Sequence, residues 1–135
     1  MKITVQATVN APQSVVWNAF TTPTDVMEWN AASDDWHCPA ARNELRPGGR
    51  FCYTMAARDG IVTFDFDGTF DVVEPSSRLG YMLDDERRVD VTFEEHDGTT
   101  IVTEIFDDEM VNSPDLQQSG WQAILDRFKK HVEHK

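Results

Sequence analysis

The chain has 135 residues, 24 of them acidic and 12 basic, for a formal charge of −12. That length is one domain's worth, expected to span 1–135 as a unit, and folding at this size hides roughly two-thirds of the surface the unfolded chain exposes. The charge repels phosphate backbones and anionic headgroups, so nucleic acid and membrane surfaces are not expected partners, and it also serves solubility.

Met1 to Val9 lacks the continuous apolar run of a signal peptide, and no stretch is long and apolar enough to cross a bilayer, so the expected location is the cytoplasm. In the same segment Ile3, Val5, Ala7 and Val9 alternate with Lys2, Thr4, Gln6 and Thr8, the period of a strand with one buried face. Asn10-Ala11-Pro12 ends that strand. Val15, Val16, Trp17, Ala19 and Phe20 then recur as the inner face of a short helix, and Pro23 opens a second one through Met27 and Trp29, with Asp25 near its positive end.

Asn30 to Arg42 shows no sustained period and reads as loop. Leu45 is expected on a short strand turned by Pro47-Gly48-Gly49, and Phe51, Tyr53 and Met55 alternate along the next. Arg58-Asp59-Gly60 closes a hairpin into a longer strand, with Phe64, Phe66, Gly68, Phe70 and Val72 on one face and Thr63, Asp65, Asp67, Thr69 and Asp71 on the other. After the turn Glu74-Pro75-Ser76-Ser77, Leu79, Tyr81 and Leu83 line one strand and Val89, Val91 and Phe93 another. His96-Asp97-Gly98-Thr99 is a hairpin signal, and the last strand runs from about Thr100 to Phe106. Its facing is open: either Ile101, Thr103 and Ile105 point inward, or Val102, Glu104 and Phe106 do.

Ser113 to His134 reads as one long helix. Ser113 can cap it, Pro114 suits its first position, and Asp115 meets the dipole. Trp121, Ile124, Leu125, Phe128 and Val132 form an apolar stripe between charged residues, which must be buried against the strands. The order is strand, two short helices, six strands in an antiparallel meander and a long helix. That order predicts an α+β fold with a curved sheet gripping the last helix.

The order of these elements, with Ala11-Pro12 and Val16-Trp17, Arg46-Pro47-Gly48-Gly49-Arg50-Phe51, Gly68-Thr69-Phe70 and Gly120-Trp121-Gln122-Ala123-Ile124-Leu125, resembles the SRPBCC superfamily. Within it the chain is similar, over essentially its whole length, to the family named for the C-terminal domain of the activator of the heat-shock protein 90 ATPase. The run Trp29-Asn30-Ala31-Ala32-Ser33-Asp34-Asp35-Trp36-His37-Cys38-Pro39 resembles a signature of small single-domain bacterial members. The resemblance implies a helix-grip fold: a seven-stranded antiparallel curved sheet wrapped around the C-terminal helix, with two short helices after the first strand. It also implies a cavity between them that is open to apolar ligands.

On that footing the ligand-binding candidates are Trp29, Trp36, Phe51, Tyr53, Met55, Phe64, Phe66, Tyr81, Trp121, Leu125 and Phe128; taken singly each reads first as core packing, and it is the resemblance that turns the set toward a cavity. The partner expected is a small apolar or amphipathic molecule. Two other readings stand beside it. One is an enzyme of cyclase, hydrolase or lyase type, with His37, Asp35 or Glu104 as catalytic candidates; the other is a chaperone-interacting module. An inward Glu104 would sit in an apolar wall, where its pKa should rise. Trp36-His37-Cys38 with Asp34 and Asp35 lacks the separated segments of a zinc site, so no metal and no cofactor is expected. Cys38 and Cys52 read as reduced thiols, and monomer or homodimer is left open.

Overall fold

Alternation dictates the first element. In a computed structural model describing residues 1–135, β1 (Lys2–Val9) buries Ile3, Val5, Ala7 and Val9 and turns its polar residues outward. Two short helices follow, α1 (Gln13–Thr21) and α2 (Pro23–Trp29), then β2 (Trp36–Asn43), β3 (Arg50–Ala57), β4 (Thr63–Glu74), β5 (Arg78–Leu83), β6 (Arg88–His96), β7 (Thr99–Asp107) and the long α3 (Pro114–Glu133). The seven strands form one antiparallel sheet in the order β1-β7-β6-β5-β4-β3-β2, so the chain closes back on itself only where β1 joins β7. Its curved inner face holds α3: this is the α+β helix-grip fold.

The helix starts where its signals lie. Ser113 Oγ accepts the amide of Leu116 at 3.2 Å, Pro114 occupies the first turn, and Asp115 sits at the positive end. Its polar flank does more than face solvent. Along the free edge of β1, the carbonyls of Thr4, Gln6 and Thr8 accept from Gln118 Nε2 (3.2 Å), Gln122 Nε2 (3.0 Å) and Lys129 Nζ (2.7 Å). An edge strand that would otherwise offer open acceptors to another chain is thereby covered by the helix it helps to hold.

Three sequence expectations are corrected. Asn30–Arg42 is not all loop, because Trp36–Asn43 is the outer edge strand β2. Its pairing with β3 slips between His37 and Ala40, around Pro39, which has no amide to donate, and this irregularity erases the period-two signal. Leu45 lies on no strand but in the connection leading to the Pro47-Gly48-Gly49 turn. Val72 does not share the inner face of β4. A bulge between Phe70 and Val72 shifts the register, so that Val73 packs on the core opposite Leu79 while Val72 pairs with Gly80. The β6–β7 hairpin is as expected: Asp97 and Gly98 have φ of 54° and 80°, the pair of left-handed residues that a tight turn between twisted strands requires.

Candidate functional site

The grip is solid at one end and hollow at the other. At the solid end α1 and α2 supply Trp17, Phe20 and Trp29, which meet Phe93 from β6 and Phe128 from α3. Phe20 stacks on Trp29 at 5.3 Å between ring centres and meets Phe128 edge-on at the same separation. Trp29 also donates its indole N–H to the carbonyl of Ala19 at 3.0 Å, so its ring is fixed.

At the other end, between β3, β4, β5 and β7 and the first half of α3, lies a cavity of about 740 Å³. That is ample for a small organic molecule. Trp29, Trp36, Phe51, Tyr53, Met55, Phe64, Phe66, Tyr81 and Trp121 all line it, together with Phe20, Phe70, Leu79 and Ile124. Leu125 and Phe128 do not; they belong to the solid core, 1% and 0% exposed. The rings of the wall brace one another: Phe51 sits 4.9 Å from Tyr81 and 5.0 Å from Phe70, and Trp121 lies nearly parallel to Phe106 at 3.8 Å. Half-exposed Phe64 and Leu116 flank the mouth.

The facing left open for the last strand is settled by its register. Glu104 pairs with Val5 on one side and Val91 on the other, both buried, so Val102, Glu104 and Phe106 point inward and Ile105 outward. Glu104 is 6% exposed and lines the cavity. Burial alone pushes its carboxyl up to about 8, with no hydrogen bond and no cation opposing the shift. Tyr81, also on the wall, is driven well above the ordinary tyrosine value by burial first and by Glu104 second. Tyr53 is pushed up to about 12 by burial, against the opposing hydrogen bond from Asn43 Nδ2 (3.0 Å).

Asp35 and His37 are not brought to this cavity. Asp35 lies in a shallow depression beside Arg58 and Asp59, and His37 stands opposite Ala56, on the face away from the cavity-lining Met55. Of the catalytic candidates, only Glu104 looks inward. Cys38 and Cys52 are free thiols. Cys52, Asp65 and Asp67, on the convex face of β3 and β4, offer three donor atoms within 4.8 Å of one another. They mix one soft ligand with two hard ones, and Asp65 is already bonded to Thr54 Oγ1 at 2.9 Å.

Sequence reasoning missed the mouth. Gln117, in the apolar stripe one turn before Trp121, is buried. It bonds the loop after β7 through the amide of Glu109 (2.8 Å) and the carbonyl of Asn112 (2.8 Å), and Asn112, Glu109 and Gln117 all line the cavity. Gly120 also lines it, and a Cβ placed there would meet nothing within 4 Å. The spacing of 117, 121 and 124 carried the signal, masked by the polarity of Gln117. Arg87, from the turn before β6, lines the cavity too, with its guanidinium held by Asp85 at 2.8 Å.

Residues 10–133 match the family described as Activator of Hsp90 ATPase homolog 1-like protein. Among solved structures, an AHSA1-like protein from Aeromonas hydrophila is 48% identical with a TM-score of 0.93, covering 99% of this chain and 93% of its own. A protein from Cytophaga hutchinsonii is 46% identical with a TM-score of 0.86, covering 98% and 92%. One from Chromobacterium violaceum, 20% identical with a TM-score of 0.88 over 98% of each chain, shares the fold. No curated protein matches. No helix is long and apolar enough to cross a membrane.

Proposed function

We propose, from the premise that this chain belongs to the Activator of Hsp90 ATPase homolog 1-like family, that it binds a small hydrophobic or amphipathic molecule in the cavity between sheet and α3. The observation that supports this best is the ring-lined hollow of about 740 Å³, left open beside the buried core around Leu125 and Phe128. Close-packed interiors do not leave a space of that size, and an apolar guest gains about 25 cal/mol for each Å² of apolar surface it hides there. The polar groups of the site are few, which suits orientation of a guest more than multi-step chemistry. His37 and Asp35 do not line the space, so the pair of those two is not available to it.

Gly120 supplies the test. A Cβ at Gly120 meets nothing within 4 Å and the residue lines the cavity, so Gly120→Phe is the variant to narrow the hollow from the helix. Wild-type protein should take up an apolar naphthalene fluorophore, and Gly120→Phe should bind it at least about tenfold more weakly while keeping its melting temperature. Equal uptake by both would place the fluorophore elsewhere and defeat the reading.

A further inference from the structure

An apolar cavity with a buried carboxyl in its wall has a requirement that a purely apolar one does not. Glu104 is inward, 6% exposed, and flanked across both strand pairings by valines. No protein group donates to it and no protein cation pairs with it. The other charges that line the cavity are committed: Arg87 is held by Asp85, and Glu109 accepts the amide of Asn112 at 2.5 Å. A lone buried carboxyl is costly unless something completes it, and nothing in the fold does. Around it the wall is aromatic, with Tyr81 facing the same space and Trp121 stacked on Phe106, which shares the inner face of β7 with Glu104. Ring faces attract cations, and carboxylates take ammonium groups in charge-assisted hydrogen bonds. The net charge of −12 adds a long-range pull on a cationic guest.

Building on the ligand-binding reading, we infer that the guest is an apolar molecule bearing one protonated amine, with its body among the rings and its ammonium on Glu104. A ketone could only accept the acid proton of Glu104, and an alcohol could exchange only neutral hydrogen bonds with the acid, so neither gains the charge-assisted pair. A carboxylate guest would be repelled once Glu104 ionises.

The proton ledger gives the inference a signature. Near neutrality the empty site holds Glu104 as the acid, and receiving R–NH3⁺ turns it into the carboxylate, so each binding event releases one proton to solvent. The titratable groups facing it are Tyr81 from β5, Tyr53 from β3, Arg87 from the turn before β6 and Glu109 from the loop after β7; α1, α2 and α3 present none to the cavity. Both tyrosines stay neutral, raised by burial, and Arg87 remains paired. Amine affinity should therefore rise by up to about tenfold per pH unit between 6 and 8 and level off above.

The experiment titrates naphthylethylamine, naphthylethanol and naphthylacetate into wild type and Glu104→Gln by calorimetry at pH 6, 7 and 8. At pH 8 the amine should bind wild type at least about tenfold tighter than the alcohol, and the acetate weakest. Glu104→Gln, similar in shape but without charge, should lose that preference and the pH slope while binding the alcohol within about threefold of wild type. Equal affinity for amine and alcohol, an amine preference that survives in Glu104→Gln, or tighter binding of acetate overturns the amine inference alone. Failure of all three probes to bind overturns the cavity reading with it.

Discussion

The two halves of α3 carry the same stripe and meet different fates. From Leu125 onward, Leu125, Phe128 and Val132 are enclosed, with Phe20 from α1 and Trp29 from α2 set edge-on against Phe128. Before it, Gln117, Gly120, Trp121 and Ile124 line the cavity opposite β3, β4 and β5, where the short helices contribute only Phe20 and Trp29. An amphipathic stripe says which side of a helix is turned inward; whether that side is filled depends on a third element covering it. The short helices cover one half only.

Truncation should expose the contrast most strongly. Phe128→Ala removes a ring with neighbours on every side and should cost about 3–5 kcal/mol in urea denaturation. Phe66→Ala, whose ring borders the cavity, should cost roughly 1–2 kcal/mol, since one side has few contacts to lose. Equal costs would mean that the two ends are packed alike.

Glu104 makes the hollow end sensitive to pH. Below about 4.5 the folded and unfolded chains both carry its proton, and the group is silent. Between there and about 8 only the unfolded chain has released it, so the unfolded state binds fewer protons and stability falls as pH rises; above about 8 the loss is complete. The slope from this group should reach about 1.4 kcal/mol per pH unit. Glu104→Gln should remove it and leave the protein up to about 4 kcal/mol more stable than wild type at pH 8, as denaturant midpoints across the range would show. A wild-type curve as flat as that of the variant would mean that Glu104 is solvated.

The smallest effect is at Gly120. Glycine inside a helix costs about 0.5–1 kcal/mol relative to alanine, and here no neighbour forbids the methyl group. Gly120→Ala should raise stability by that amount, read from the thermal midpoint. A loss instead would mean that the helix is crowded where the structure shows room.

Much of this was legible in the sequence. The alternation of Ile3 to Val9, the Asp97-Gly98 turn and the Ser113-Pro114 helix start each rest on local chemistry, and each appears where that chemistry places it. What escaped depended on partners distant in the chain. The slip at Pro39 hid β2, the bulge before Val72 moved a side chain to the other face, and the facing of Glu104 was fixed only by Val5 and Val91 across two pairings. Most of the ring wall is legible in the sequence, though the candidate set leaves out Phe20 and Phe70, and helical spacing alone does not separate Leu125 and Phe128 from it because it does not record where α1 and α2 stop. Gln117 is polar and so gives no apolar signal, although its buried amide ties down the loop at the mouth.

Side-chain NMR with naphthylethanol tests the central claim most directly, by comparing spectra of the free and the saturated protein. Signals of Met55, Leu79, Ile124 and the Trp121 indole should shift together while those of Val26, Leu125 and Val132 stay in place. Shifts concentrated in the second group, or none in the first at saturation, would contradict a hollow that receives guests at one end of the grip.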